Sequence, residues 1–104
     1  MIFSLDFDGT YTAAPDMWER WIEMVTTLGH EVYCISYRPI NEMQKVYDTL
    51  GKVIGVDHCI STRATPKKRY TEKLGLHIDV WIDDTPEMLI DDRQYHKWKN
   101  TPYK

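Results

Sequence analysis

The sequence predicts a three-layer α/β domain, with helices laid on both faces of a parallel sheet. Two observations carry that expectation. β-branched and aromatic runs of strand length alternate with segments of helical periodicity, and the joins hold helix-stopping glycines and helix-opening Thr-Pro pairs. Repeated strand–helix–strand units close with right-handed crossovers, which set neighbouring strands running the same way.

The elements follow in order. The apolar run Ile2–Phe7 (IFSLDF) is the first strand. Pro15 and Asp16 then open a helix in which Trp18, Trp21, Ile22, Val25 and Leu28 recur on one face, and Gly29 stands where a C-cap would. The second strand is His30–Ser36 (HEVYCIS). Asn41 and Gln44 make a capping box ahead of Met43, Val46, Tyr47 and Leu50, and Gly51 is expected to end that helix. A short third strand falls at Val56–Ile60. Thr65-Pro66 reads as N-cap and first residue of a helix carrying Tyr70 and Leu74, stopped by Gly75. The run Ile78–Asp83 (IDVWID) is the last strong strand, and Thr85-Pro86 begins a short helix through Met88, Leu89 and Ile90.

Composition narrows the class of protein. With 104 residues, 42% of them hydrophobic, the chain is expected to form one modest core. A net charge of −3 argues against a broad cationic face for nucleic acid or anionic membrane, though local patches stay open. No hydrophobic leader precedes the first strand and no apolar stretch is long enough to span a bilayer, so a cytoplasmic location without membrane partners is expected. Cys34 and Cys59 sit inside strand-like runs and read as core thiols. His30, His58, His77 and His96 have no ligand spacing, which argues against a zinc site, and Trp18 and Trp21 read as packing residues. Asp91 and Asp92 belong to a solvated face.

In open α/β sheets, ligands bind beyond the carboxyl ends of the strands. Those ends read Asp6-Phe7-Asp8-Gly9-Thr10, Ser36-Tyr37-Arg38 and Asp83-Asp84, with Lys67 and Lys68 near the start of a later helix. Crowded carboxylates repel unless a cation neutralises them, and an all-oxygen set with open positions suits Mg²⁺, which is bound with a few carboxylates and substrate phosphate. Phosphoryl transfer calls for such a set, because it depends on positioning and on neutralising charge on the transferring oxygens. Asp6 is the candidate nucleophile and Asp8 the candidate general acid/base, with Ser36 and a lysine as candidate binders of the phosphate oxygens. Gly9 lets the backbone come close to the phosphate, with the Thr10 hydroxyl beside it.

On these residues the chain resembles the haloacid-dehalogenase (HAD) superfamily of phosphatases. The family's first motif, D-x-D-G-T/V, matches Asp6, Asp8, Gly9 and Thr10; its second, a Ser or Thr closing the second strand, matches Ser36; its fourth matches Asp83 and Asp84, with Glu87 nearby. The resemblance covers roughly residues 1–90. It implies a HAD-like Rossmannoid fold with a parallel sheet of about four to five strands, the first lying between the second and fourth. It also implies Mg²⁺ held by Asp6, the Asp8 backbone carbonyl and the acidic pair Asp83 and Asp84. For the third motif, a lysine, Lys67 shares a helical face with Tyr70 and Leu74 and should point inward, whereas Lys68 is rotated about 100° away. Arg63 stands a little earlier, so the choice among these cations stays open, with the periodicity favouring Lys67.

Each interval between motifs is filled by one helix and one strand, which leaves no room for the cap domain many relatives carry. The expected site is open, suited to a nucleotide, a nucleic-acid end or a phosphoprotein, or closed by a lid from another copy in a homo-oligomer. Tyr11, Tyr37 and Arg38 are expected near its mouth, where an aromatic ring would stack on a base and the arginine would hold a second phosphate. The hydrolase domain is expected over residues 1–92. Residues 93–104 form a basic, aromatic tail that either drapes over the domain or grips single-stranded nucleic acid. Two other readings stand beside the phosphatase: a noncatalytic binding or regulatory module on the same fold, and a receiver-like phosphoacceptor domain. The receiver reading is weakened because the third strand ends in Ile60-Ser61 without an acid.

Overall fold

The computed structural model describes residues 1–85 and Leu89. The helix expected from Thr85-Pro86 onward, Glu87, His96, the pair Asp91 and Asp92, and the tail 93–104 lie outside the described residues. The elements are β1 (Ile2–Leu5), α1 (Pro15–Thr27), β2 (Glu31–Ser36), α2 (Gln44–Asp48), α3 (Gly51–Ile54), β3 (Cys59–Ser61), α4 (Lys67–Lys73) and β4 (Val80–Ile82).

All four strands are parallel, in the order β3-β2-β1-β4. Phe3 of β1 lies between Val32 of β2 and Val80 of β4, so β1 is central, as expected. Ile22 and Val25 of α1 join Val46 and Leu50 in one core cluster with Leu5, Val32 and Cys34 of the sheet, so α1 and the α2–α3 segment share a face. The chain then reverses direction from β3, passing through α4 to β4 at the other edge of the sheet. This reversal makes a switch point beside β1, the place where such sheets bind ligands. Cys34 and Cys59 are register partners on β2 and β3, and both are buried, free thiols. No helix among the described residues is long and apolar enough to cross a membrane.

Two glycine stops fall where the sequence placed them. At the end of α1, His30 N–H donates to Val25 O and Gly29 N–H to Thr26 O, with Gly29 at φ 92°. Gly75, at φ 72°, closes α4 with the same pair of bonds, Leu76 to Thr71 and Gly75 to Glu72. Both are Schellman closures, which need a residue tolerant of the left-handed region.

Other expectations give way. The capping box does not form: Ile40–Glu42 is a 3₁₀ turn and α2 starts after Met43 with no side-chain cap. The single helix expected to stop at Gly51 is instead broken at Thr49 and Leu50. The Thr49 hydroxyl donates to Lys45 O at 2.7 Å, and such back-bonding bends a helix. Gly51 begins α3, where an added Cβ would come within 3.3 Å of the Val56 side chain. The stop is Gly55, at φ 93°, and the 3₁₀ turn Val56–His58 that follows delays β3 to Cys59. At α4 the Thr65 side chain makes no cap, because Pro66 is extended and itself occupies the N-cap position. Leu28 and Leu74, assigned to apolar stripes, are exposed.

Candidate active site

The register of the two strands that flank the switch point brings two carboxylates together. Leu5 pairs with Ile82, and the residues one step further are Asp6 and Asp83. Asp6 N–H still donates to Ile82 O at 2.9 Å, continuing the ladder, while its side chain turns into a buried position at the strand end. Asp83 Oδ1 accepts from the Thr85 amide at 2.9 Å, an Asx-type turn that fixes the carboxylate as the chain leaves β4.

The cation between them comes from α4. Lys67, the first residue of α4, is 3% exposed and places Nζ 2.8 Å from Asp6 Oδ1 and 2.5 Å from Asp83 Oδ2. Thr71, one turn on, is the other buried residue of α4. The face that turns inward is therefore Lys67–Thr71, and Lys68 stands in solvent.

After β1 the chain folds into a tight turn. Tyr11 N–H donates to Asp6 O and Thr12 N–H to Phe7 O, each at 3.1 Å, and the Trp18 indole donates to Thr10 O at 2.9 Å, tying the turn to α1. Gly9 adopts φ 77°, and a Cβ there would collide with the Asp84 carboxylate. One carboxylate oxygen from each of Asp6, Asp83 and Asp84 lies within 4.8 Å of the others. An open cavity of about 330 Å³ sits over this cluster, lined by Asp6, Asp8, Gly9, Tyr37, Lys67, Asp83, Asp84 and Thr85.

Asp8 is engaged on the other wall. Arg38 grips it bidentately, with Nε to Oδ2 and an Nη to Oδ1 both at 2.8 Å, while its remaining Nη donates to Glu42 O at 2.9 Å. The guanidinium also lies over the Phe7 ring, 5.2 Å from its centre.

Burial and unequal pairing set the titration of these groups. Burial pushes Asp6 up to about 7, with the hydrogen bond its protonated form donates to Asp84 and the charge of Asp83 acting in the same direction, and Lys67 offsets only part of this. For Lys67, burial alone would lower the pKa, but Asp6 and Asp83 together hold it above its ordinary value. The Arg38 hydrogen bonds hold Asp8 below the usual carboxylate range. Arg38 is raised in turn by the same bonds. Asp6, Asp8, Asp83 and Asp84 thus face two cations in contact, Lys67 and Arg38. Fully ionised, the cluster would carry two uncompensated negative charges. An all-oxygen donor set with that surplus fits a hard divalent ion such as Mg²⁺.

Of the residues singled out in the sequence, Asp6, Asp8, Gly9, Tyr37, Lys67, Asp83 and Asp84 surround one cavity. Ser36, Thr10, Arg38, Lys68 and Tyr11 do not line it. Ser36 is buried, with its hydroxyl oxygen accepting from the Arg38 amide at 3.1 Å. Thr10 is buried and turns its hydroxyl toward Asp6 Oδ2 at 3.5 Å. Arg38 is committed to Asp8 and Glu42 instead of standing open to a second phosphate, and Lys68 is exposed outside the cavity. Tyr11, expected at the mouth, is buried against Phe7 and donates to Glu19. Thr85 was missed; the only signal for it was a hydroxyl residue directly after the acidic pair.

No family model, curated protein or solved structure matches the chain.

Proposed function

We propose that the protein is a Mg²⁺-dependent phosphomonoester hydrolase of the small, capless HAD type, working through an aspartyl-phosphate on Asp6. The observation that carries this reading is the Lys67 ammonium held between Asp6 and Asp83 at the ends of adjacent strands, with Asp84 at ligand distance. A lysine so placed neutralises one oxygen of the nucleophile and stands ready for a phosphate oxygen. Asp6 Oδ2, the oxygen not taken by Lys67, is the one left to attack phosphorus.

In the first step a bond forms from Asp6 to phosphorus, the bond to the leaving oxygen breaks, and that oxygen takes a proton from Asp8. In the second, water attacks the same phosphorus, Asp8 receives the water's proton, and Asp6 is released with inorganic phosphate. Held by Asp6, Asp83, Asp84 and the Asp8 carbonyl, Mg²⁺ would neutralise charge on the transferring phosphoryl oxygens. Asp8 cannot give a proton while both its oxygens accept from Arg38, so turnover requires that pair to part.

The test is hydrolysis of an aryl phosphate with and without Mg²⁺ by the wild type, Asp6→Asn and Asp8→Asn. Metal-dependent turnover is expected, abolished by the first change and cut strongly by the second. Activity surviving Asp6→Asn would remove the nucleophile assignment. Folded protein without turnover under any condition would favour the noncatalytic binding module instead.

A further inference from the structure

Three cations carried by α4 and the turn before it have no role in the chemistry above. Arg63, Lys68 and Arg69 are exposed, and none of their side chains has an ion-pair or hydrogen-bond partner among the described residues. Lys68 and Arg69 directly follow Lys67, which lines the cavity. The turn bearing Arg63 is anchored to the same rim: Arg63 N–H donates to Ser61 Oγ at 3.1 Å, Ser61 Oγ–H donates to Arg38 O at 2.5 Å, and Ala64 N–H reaches Tyr37 O at 3.3 Å. Tyr37 is itself a wall of the cavity. Arg63 and Ala64 are consecutive non-glycine residues at φ 54° and 61°, a conformation that costs energy and tends to persist where function requires it.

The geometry points to the phosphorylated end of a nucleic-acid strand as the substrate, its terminal phosphate in the cavity and the next backbone phosphates on Arg63, Lys68 and Arg69. The inference rests on the phosphatase reading and extends it to a substrate class. A cavity of about 330 Å³ has room for a phosphoryl group and part of a sugar, leaving the rest of a polymer outside. On the Asp8 wall the nearest cation, Arg38, is already satisfied and Lys45 adds a single further charge near Asp8, whereas α4 and the turn before it carry three cations unpaired among the described residues. Guanidinium groups meet phosphate and carboxylate equally well. What favours nucleic acid over an acidic phosphopeptide is repetition, since a strand brings a phosphate to these cations whatever its base sequence.

The experiment compares kcat/KM for a terminally phosphorylated oligothymidylate, an acidic phosphopeptide and an aryl phosphate. It is run at several salt concentrations, with the wild type and with Arg63→Asn/Lys68→Gln/Arg69→Gln; Asn is chosen at position 63 because it tolerates positive φ. Fluorescence anisotropy of an unphosphorylated oligothymidylate reads binding without turnover. The triple variant is expected to lower the oligonucleotide-to-aryl-phosphate ratio at least tenfold. It should also flatten the salt dependence of the oligonucleotide reaction by about two log units per log unit of salt, three contacts at about 0.7 each. An unchanged ratio, or wild-type oligonucleotide turnover indifferent to salt, overturns the substrate assignment while aryl phosphate turnover leaves the phosphatase reading intact. Preference for the phosphopeptide, lost in the triple variant, overturns it in favour of protein. Oligonucleotide binding with no turnover of any substrate overturns the phosphatase reading and the substrate assignment with it.

Discussion

Lys67 stands 61 positions beyond Asp6 in the chain, yet its ammonium lies 2.8 Å from the Asp6 carboxylate in a position closed to solvent. Removing one partner of a buried pair leaves the other charge uncompensated, which typically costs about 3–5 kcal/mol. Lys67→Met is therefore expected to destabilise the fold by that order at pH 8, where burial and the neighbouring Asp83 would oppose the charge on Asp6 with no cation to offset them. Denaturant unfolding measures it, and the deficit should shrink on acidification. A variant as stable as the wild type at pH 8 would show that the lysine does not neutralise the pair.

Asp6 should oppose stability when ionised. Its pKa in the fold is about 7 against an ordinary 3.8, so the folded protein binds the proton more tightly than the unfolded chain. The associated stability is fully present below 3.8 and is lost as pH rises through about 7. Asn keeps an oxygen for Lys67 and presents an amide to Asp84 without the charge. Asp6→Asn is accordingly expected to melt several degrees above the wild type at pH 8 without metal, with the gap closing toward pH 4. Saturating Mg²⁺ should narrow the gap at pH 8 by stabilising the wild type more. Equal melting temperatures across the whole pH range would contradict the raised pKa.

Arg38 and Asp8 form a half-exposed pair, with side-chain exposures of 24% and 58%, so Arg38→Gln should change stability by no more than about 1 kcal/mol. The sign with pH is opposite to that of Asp6. Because the pKa of Asp8 is lowered in the fold, the pair's contribution is present above the usual carboxylate range and is lost as pH falls through the lowered value. Kinetics should respond more than stability does. With the guanidinium gone, Asp8 titrates nearer its ordinary value, and the group in the pH–rate profile that reports it should move upward. A profile that keeps its shape in Arg38→Gln would take Asp8 out of proton transfer.

Gly9→Ala tests the closest approach in the site. A Cβ at φ 77° costs about 1–2 kcal/mol and would displace the Asp84 carboxylate that lies against this glycine. Reduced stability and several-fold weaker Mg²⁺ binding by calorimetry are expected together. A loss of stability with metal affinity intact would mean that Asp84 takes no part in holding the ion.

Much of this arrangement is legible along the chain, because its causes are local. The first aspartates follow a strand in five contiguous residues, and Gly29 and Gly75 end their helices through bonds that reach back only a few positions. The inward turn of Lys67 also follows from helical periodicity, though its companion on the buried face is Thr71 and not Leu74. The break at Thr49 was not legible, since a threonine hydroxyl can face solvent or bond backward, and packing around buried Leu50 decides which. Arg38 shows the same limit: nothing near it in the chain marks Asp8, 30 positions away, as its partner.

The alternation of strands and helices, the parallel sheet it entails and the carboxylates at the strand ends were determined by the sequence alone, because each depends on residues close together in the chain. Which charges meet was decided only by the tertiary structure. The order β3-β2-β1-β4 sets Asp83 beside Asp6, brings Lys67 between them and leaves Asp8 to Arg38. Electrostatic energy depends on separation through space and on the water excluded from between the charges, and neither quantity exists until the chain has folded.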